Sequence, residues 1–328
     1  MAGRRASVIR GILSLILLGA AAWVFFHRQQ VLDQLVVWQY KPPASVASLA
    51  TRAQFSDSGK YLFYASQPNL SDKDHFNKHC DSHEAESVVL GCYVAQRIYI
   101  YNVTDKRLDG VKEVTAAHEM LHAAYERLSG DERKRVNGLV EKEVARNPDK
   151  KLTARLKTYE RTEPGERDNE LHSILGTERG RLGSELEAYY AQYFKSRSAV
   201  ARLFTKYEDM FRQLETQQNT LVKELNAIAK ELKTRSGAYN KEIAKLNAAI
   251  DTFNARADTS GGFTTEADFK AARNKLVDEQ HDLENKRTSL NKRIAEYNTK
   301  RTKLESLNLH AKDLQSSLNS KPAPVPAL

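Results

Sequence analysis

Hydrophobic positions follow three rhythms along this chain. Residues Gly11–Phe26 form one unbroken, uncharged run between Arg10 and the pair His27-Arg28. Residues 44–198 mix short β-branched and aromatic stretches with helical periodicity. From about residue 198, Gly and Pro almost vanish and apolar residues return every seven positions. Each rhythm predicts a different kind of element.

The first run predicts a membrane anchor. Sixteen helical residues span ~24 Å, slightly less than the ~30 Å hydrocarbon core of a bilayer. Val8 and Ile9 extend the run, because Arg10 can snorkel. Trp23, Phe25 and Phe26 fall where an interfacial aromatic belt would lie. Ala20-Ala21-Ala22 offers the small residues of a signal-peptide cleavage site, but the apolar run continues past it, which favours an uncleaved anchor. Both readings keep the end bearing Arg4, Arg5 and Arg10 in the cytoplasm and export everything after residue 28. Residues 1–28 are therefore read as a cytoplasmic tip and transmembrane signal anchor. Residues 29–43 are read as a juxtamembrane linker, broken by Lys41-Pro42-Pro43.

The middle segment predicts an α+β, mostly helical unit over 44–198. Tyr61-Leu62-Phe63-Tyr64 and the stretch from Val94 to Val103 read as strands. Asp109-Gly110 makes a turn. A helix from Val114 to Leu128 follows and stops before Gly130. Further helices are expected near 131–147, 167–176 and 184–200.

The third rhythm predicts a coiled-coil hairpin over 199–318. Phe204, Phe211, Gln218, Leu225, Leu232, Tyr239, Leu246 and Phe253 fall seven apart, with Gln218 the one polar member. Asp258-Thr259-Ser260-Gly261-Gly262 interrupts them, which sets a turn at 257–264. Thr265, with Asp268 three residues on, offers a fresh helix cap. Phe269, Leu276, Leu283, Leu290, Tyr297, Leu304, Ala311 and Leu318 form the second arm. Matched arms about one Gly-rich break predict an antiparallel pair. Arg273, Arg287 and Arg301 make the companion seam of the second arm polar, so the contact is either narrow or shared with a protein partner or a second copy. Residues 319–328, with their prolines, read as a disordered tail.

Charge changes one part of this picture. The net +9 invites a nucleic-acid reading, but it divides as +4 over residues 1–28, −1 over 29–196 and +6 over 197–328. The near-neutral middle carries no nucleic-acid face. The N-terminal excess is a topology signal. The C-terminal excess is interleaved with acidic residues, as on a solvated coiled coil. Two cysteines exclude a disulfide-dense miniprotein and a Cys-rich zinc-finger array. On the exported side, Cys80 and Cys92 can close a short loop as a disulfide; the alternative is two free thiols. His75, His79, Cys80 and His83 are a further candidate metal site.

The candidate chemistry lies at His118-Glu119-Met120-Leu121-His122. Two histidines four apart share one face of a helix, where both imidazoles can reach one Zn²⁺. Glu119 then sits beside the open coordination position. There it can take a proton from an attacking water and pass it to the leaving amine. Tyr125, Tyr189 and Tyr190 are candidate oxyanion donors, with aromatic core packing the simpler role.

On this motif, inside VTAAHEMLHAAYERL and just after RIYIYNV, the chain resembles the HExxH zinc metallopeptidases, and more narrowly the gluzincin type. The resemblance covers roughly residues 88–195. It implies a zincin-like domain, a strand before the HExxH helix that aligns an extended substrate, and a third zinc ligand from a glutamate on a later helix. Glu170, 48 residues after His122, is the first candidate for that ligand; His172 and Glu178 are the alternatives. Ala123-Ala124-Tyr125 after His122 departs from the metzincin extension. The family often places an aspartate four residues after the ligand glutamate, to orient the first histidine. Here that position is Ile174, so the orienting group must come from elsewhere, with Glu178 a candidate. The expectation is a membrane-anchored, zinc-dependent endopeptidase acting on protein or peptide substrates in the cell envelope. The alternative is a membrane-tethered coiled-coil scaffold with a structural or vestigial zinc site.

Overall fold

The computed structural model describes residues 2–80, 89–162 and 164–320. His83 and residues 321–328 of the expected tail lie outside the described residues. The chain divides into two compact units: one runs to Met210 and resumes at Leu314, the other is Phe211–Asp313. The sequence placed this boundary at 198; the first unit keeps a further twelve residues.

In the first unit, α1 (Ala2–Phe26) and α2 (Arg28–Gln39) come first. Among the described residues no single helix is long and apolar enough to cross a membrane. Leu15–Phe26 and Arg28–Gln39 pass that test only together, and they are bent by 82°. Residues 29–43, expected as a linker, are thus helical as far as Gln39. The reason is tertiary. Asp33 on α2 is buried and meets Arg127 in a two-pronged ion pair, Nε–Oδ2 2.7 Å and Nη2–Oδ1 2.9 Å.

Helices α3 (Ala44–Arg52) and α4 (Asp57–Ala65) follow. Helix α4 contains Tyr61–Tyr64, which were expected as a strand. Ser56 decides the matter. Its Oγ accepts from Gly59 N (3.0 Å), starting a helix that aromatic content alone does not reveal. Strand β1 (Asn69–Ser71) and the short α5 (Lys73–His79) lead to β2 (Gly91–Val94) and β3 (Arg97–Tyr101). The expected strand from Val94 to Val103 is thus shorter, Arg97–Tyr101, and Val94 ends the preceding arm of a hairpin. Its turn residues Ala95 and Gln96 both have positive φ, 48° and 61°, the geometry of a two-residue primed turn. Neither is Gly or Asn, so the turn was invisible in the sequence. The sheet order is β1-β3-β2, with β1 parallel and β2 antiparallel to the central β3. Ile98 and Ile100 on β3 are fully buried.

Helix α6 (Val111–Glu126) carries the HExxH residues and is buried along almost its whole length. Gly110 precedes it at φ 102°, which agrees with the expected turn. Helices α7 (Gly130–Arg146), α8 (Lys150–Thr162), α9 (Arg167–Glu178) and α10 (Ser184–Tyr190) complete the body. A reciprocal cap between Ser129 and Glu132 starts α7. Helix α9 packs against α6 across Gly176, where an added Cβ would collide with Leu121 and approach Tyr190 Cε1 to 2.9 Å. The helix expected over 184–200 breaks after Tyr190. Backbone bonds from Ser56 N to Tyr193 O (2.9 Å) and Lys195 N to Gln54 O (2.7 Å) replace helical ones there. Met120, Leu121, Phe63, Leu171 and Ile174 belong to the common core. A disulfide joins Cys80 to Cys92, with Cα atoms 5.8 Å apart. Ser320, expected in a disordered tail, is buried: its Oγ donates to Val89 O at 3.1 Å and its carbonyl accepts from Asn77 Nδ2.

The second unit comprises parts of α11 (Arg197–Ala257) and α12 (Glu266–Leu318). Cross-arm contacts run antiparallel. Gln218 Nε2 donates to Asn308 Oδ1 (2.8 Å), Lys300 meets Glu224 (2.8 Å), Arg293 meets Glu231 (2.8 Å) and Lys286 meets Glu242 (2.7 Å). Leu225, Ile228, Leu246, Leu283 and Leu290 are buried between the arms. Arg273, Arg287 and Arg301 are exposed, outside the buried seam. Thr265 Oγ1 accepts from Asp268 N (3.1 Å), the expected cap of α12.

The parts agree with an α+β, mostly helical chain whose one described sheet has three strands.

Candidate metal centre

The sequence of α6 sets the first half of the site. Positions 118, 119 and 122 share the face of the helix that looks onto a cleft of about 1000 Å³. Helix α9 supplies the second half. Its Glu170 carboxylate is buried, with Oε1 3.3 Å from His122 Nε2 and Oε2 3.6 Å from His118 Nε2. The donor atoms of His118, His122 and Glu170 all lie within 4.8 Å of one another. No other group of three such donors comes together among the described residues.

The electrostatics suit a cation. Burial pushes the His118 pKa down to about 4, so this imidazole is neutral at ordinary pH. Burial also opposes ionisation of Glu170, but the nearby His122 and His118 outweigh it and bring its pKa down to about 2. Burial likewise disfavours the cationic form of His122, yet Glu170 and Glu119 raise its pKa above the usual value. Glu170 Oε2 is fully buried and has no hydrogen-bond partner among the described residues, a costly arrangement unless a cation completes it. Two imidazoles and one carboxylate are a zinc donor set. The residues present therefore fit Zn²⁺.

Asn169 settles the tautomer of His122. Its Nδ2 donates to Glu166 Oε2 (2.9 Å), so its Oδ1 is the acceptor facing His122 Nδ1 at 2.9 Å. Nδ1 then carries the proton, and Nε2 keeps its lone pair toward Glu170 and the metal position. Ser173 Oγ stands 3.4 Å from the same Nδ1.

The other candidates have different places. His172 is wholly buried on the core side of α9, its Nε2 3.0 Å from Tyr189 OH, with its ring among Tyr125, Tyr189 and Tyr190. Glu178 lines the cleft but pairs with Arg155 Nη1 at 2.7 Å. It therefore does not join the donor cluster, and its carboxylate, a candidate to orient His118, is engaged by Arg155 instead; Asn169 orients the other histidine, His122. Tyr125 donates to Asn137 Oδ1 (2.9 Å) and Tyr190 to the His172 carbonyl (2.6 Å). Tyr125, Tyr189 and Tyr190 are core residues, and the tyrosines that line the cleft are Tyr93, Tyr159 and Tyr207. The further metal site loses Cys80 to the disulfide. The rings of His75 and His79 lie 4.6 Å apart, tilted by 36°, and His79 stacks on Tyr99.

Two residues were missed in the sequence. Asn169 is adjacent to the expected ligand, but an amide beside Glu170 carries no local sign of a role at His122. Gly91 lies at the start of β2, where an added Cβ would fall 2.5 Å from Thr115 Cγ2 and 2.6 Å from Glu119 Oε1. Only glycine lets this outer strand run so close over the buried Glu119. Its proximity to Glu119 is a tertiary fact with no local signal.

No protein-family model, curated protein or solved structure matches the chain.

Proposed function

We propose that this chain is a membrane-anchored, zinc-dependent endopeptidase whose site lies outside the cytoplasm. The observation that carries the reading is the convergence of His118, His122 and Glu170 beside the buried Glu119 in a large cleft. His118 and His122 offer Nε2 and Glu170 a carboxylate to zinc. When bound, zinc supplies Lewis-acid activation of water and of a peptide carbonyl. Glu119 serves as the general base and then as the acid that protonates the leaving amine. Asn169 holds His122 in the tautomer that leaves Nε2 bare. Strand β2 is an outer strand beside Glu119, and its edge, unpaired among the described residues, suits an extended peptide. The anchor reading rests on the basic N-terminus and the apolar run to Phe26.

The test is metal content and peptide cleavage in the full chain. Zinc should bind, and Glu119→Gln should keep zinc and lose cleavage. Retained full activity in Glu119→Gln would reject the reading.

The separate compactness of Phe211–Asp313 supports a second reading, a tethered scaffold that works through its hairpin. Removing 225–299 and closing the arms with a short turn discriminates the two. This deletion spares Phe204, Tyr207 and Glu208, which line the cleft, and the buried Leu314 and Ser320. Zinc and cleavage should survive it if the hairpin is accessory.

A further inference from the structure

Helix α2 has two unlike sides. One face is fastened to the body of the unit. Asp33 on that face is buried against Arg127, which caps α6, the helix of the two histidines. Arg127 also donates to Ala123 O (2.8 Å) and to Tyr93 OH (3.0 Å). The opposite face is apolar and open: Leu32 is 54% exposed, Leu35 43% and Trp38 73%. Exposed large apolar side chains in a contiguous stripe mark an interaction surface.

The preceding chain indicates what covers it. Leu15–Leu18 and Trp23–Phe26 on α1 are also exposed and apolar. They continue directly into α2 through an 82° bend. A helix crossing a bilayer and one lying along its surface meet at close to a right angle. The apolar run of α1 alone spans only ~24 Å against a ~30 Å core. An apolar face placed at the interface at its end accommodates that shortfall. Arg28 at the first turn and Trp38 near the last are residue types favoured at headgroup level.

We infer that α2 is a membrane-surface helix, with Leu32, Leu35 and Trp38 seated among lipid acyl chains. This rests on the anchor reading above. The bolt between Asp33 and Arg127 then fixes α6, and with it the candidate metal centre, at one height and tilt over the bilayer. A site so held is placed for peptide segments emerging from the same membrane.

The chain has two tryptophans, one on each helix, which makes the test direct. Full-length Trp23→Phe and Trp38→Phe are reconstituted in phosphatidylcholine–phosphatidylglycerol vesicles brominated near the carbonyl end of the acyl chains. In Trp23→Phe, the remaining Trp38 should lose most of its emission to the brominated lipid and resist aqueous iodide. Adding Leu35→Asp should reopen Trp38 to iodide with unchanged circular dichroism. Trp38 open to iodide while Trp23 is quenched overturns the inference and leaves the anchor standing. Trp38 shielded from iodide yet untouched by brominated lipid means a protein covers the face, which also overturns it. If Trp23 escapes quenching too, the anchor reading falls and takes this inference with it.

Discussion

The hairpin and the unit that carries the candidate metal centre are both helical, but different physics holds them. In Phe211–Asp313 each arm repeats one short pattern, and the cross-arm charges keep partial contact with solvent. In the first unit the decisive contacts join residues far apart in sequence: Asp33 to Arg127, His122 to Asn169, Gly91 to Glu119. A repeating seam distributes stability over many equivalent contacts. A converging site concentrates it, and function, in a few buried groups that have no substitutes. Single changes should therefore be severe in the first unit. In the hairpin only the buried seam should respond.

The largest effect is expected at Glu119. Glu119→Gln should lower kcat/KM for a peptide by about 10²–10⁴-fold, the usual worth of a general acid–base group. Stopped assays with parallel metal analysis check that zinc stays. Asp33→Ala comes next, since it strands Arg127 in a buried position. A loss of about 3–5 kcal/mol is expected from breaking such a pair, read from chemical denaturation. In the hairpin, Ile228→Ala should cost about 2–5 kcal/mol, because its side chain is fully buried in the seam. Asn169→Ala should weaken zinc affinity by about 10–100-fold, measured by competition with a chelator. The smallest effect belongs to Lys300→Ala, which removes the 2.8 Å pair with Glu224. Both groups keep water contact, so the melting temperature should barely move. A large loss from Lys300→Ala beside a negligible one from Asp33→Ala would invert the comparison.

The same contrast explains what could be read in advance. The heptads from Phe204 to Leu318 state their partners locally, so the turn and the cap at Thr265 were both legible. The HExxH pair was legible because helical spacing alone puts both imidazoles on one face. Glu170 was one of three candidates on α9, and only packing shows which of them lies beside both histidines. Gly176 brings α9 close to α6, which turns Glu170 toward the histidines and His172 into the tyrosine cluster. Tyr61–Tyr64 and the 184–200 helix failed for a related reason. A cap at Ser56 and backbone pairing of Gln54–Ser56 with Tyr193–Lys195 outweighed local propensity. The helicity of α2 was missed because Asp33 looks like a solvent residue until Arg127 is beside it.

The central claim is that His118, His122 and Glu170 form one zinc centre. Zinc stoichiometry of the full chain and of Glu170→Ala, His172→Ala and Glu178→Ala tests it most directly. The account predicts one zinc per chain in the parent, lost in Glu170→Ala and kept in Glu178→Ala and in folded His172→Ala. A full complement of zinc in Glu170→Ala, or none in the parent, would contradict it.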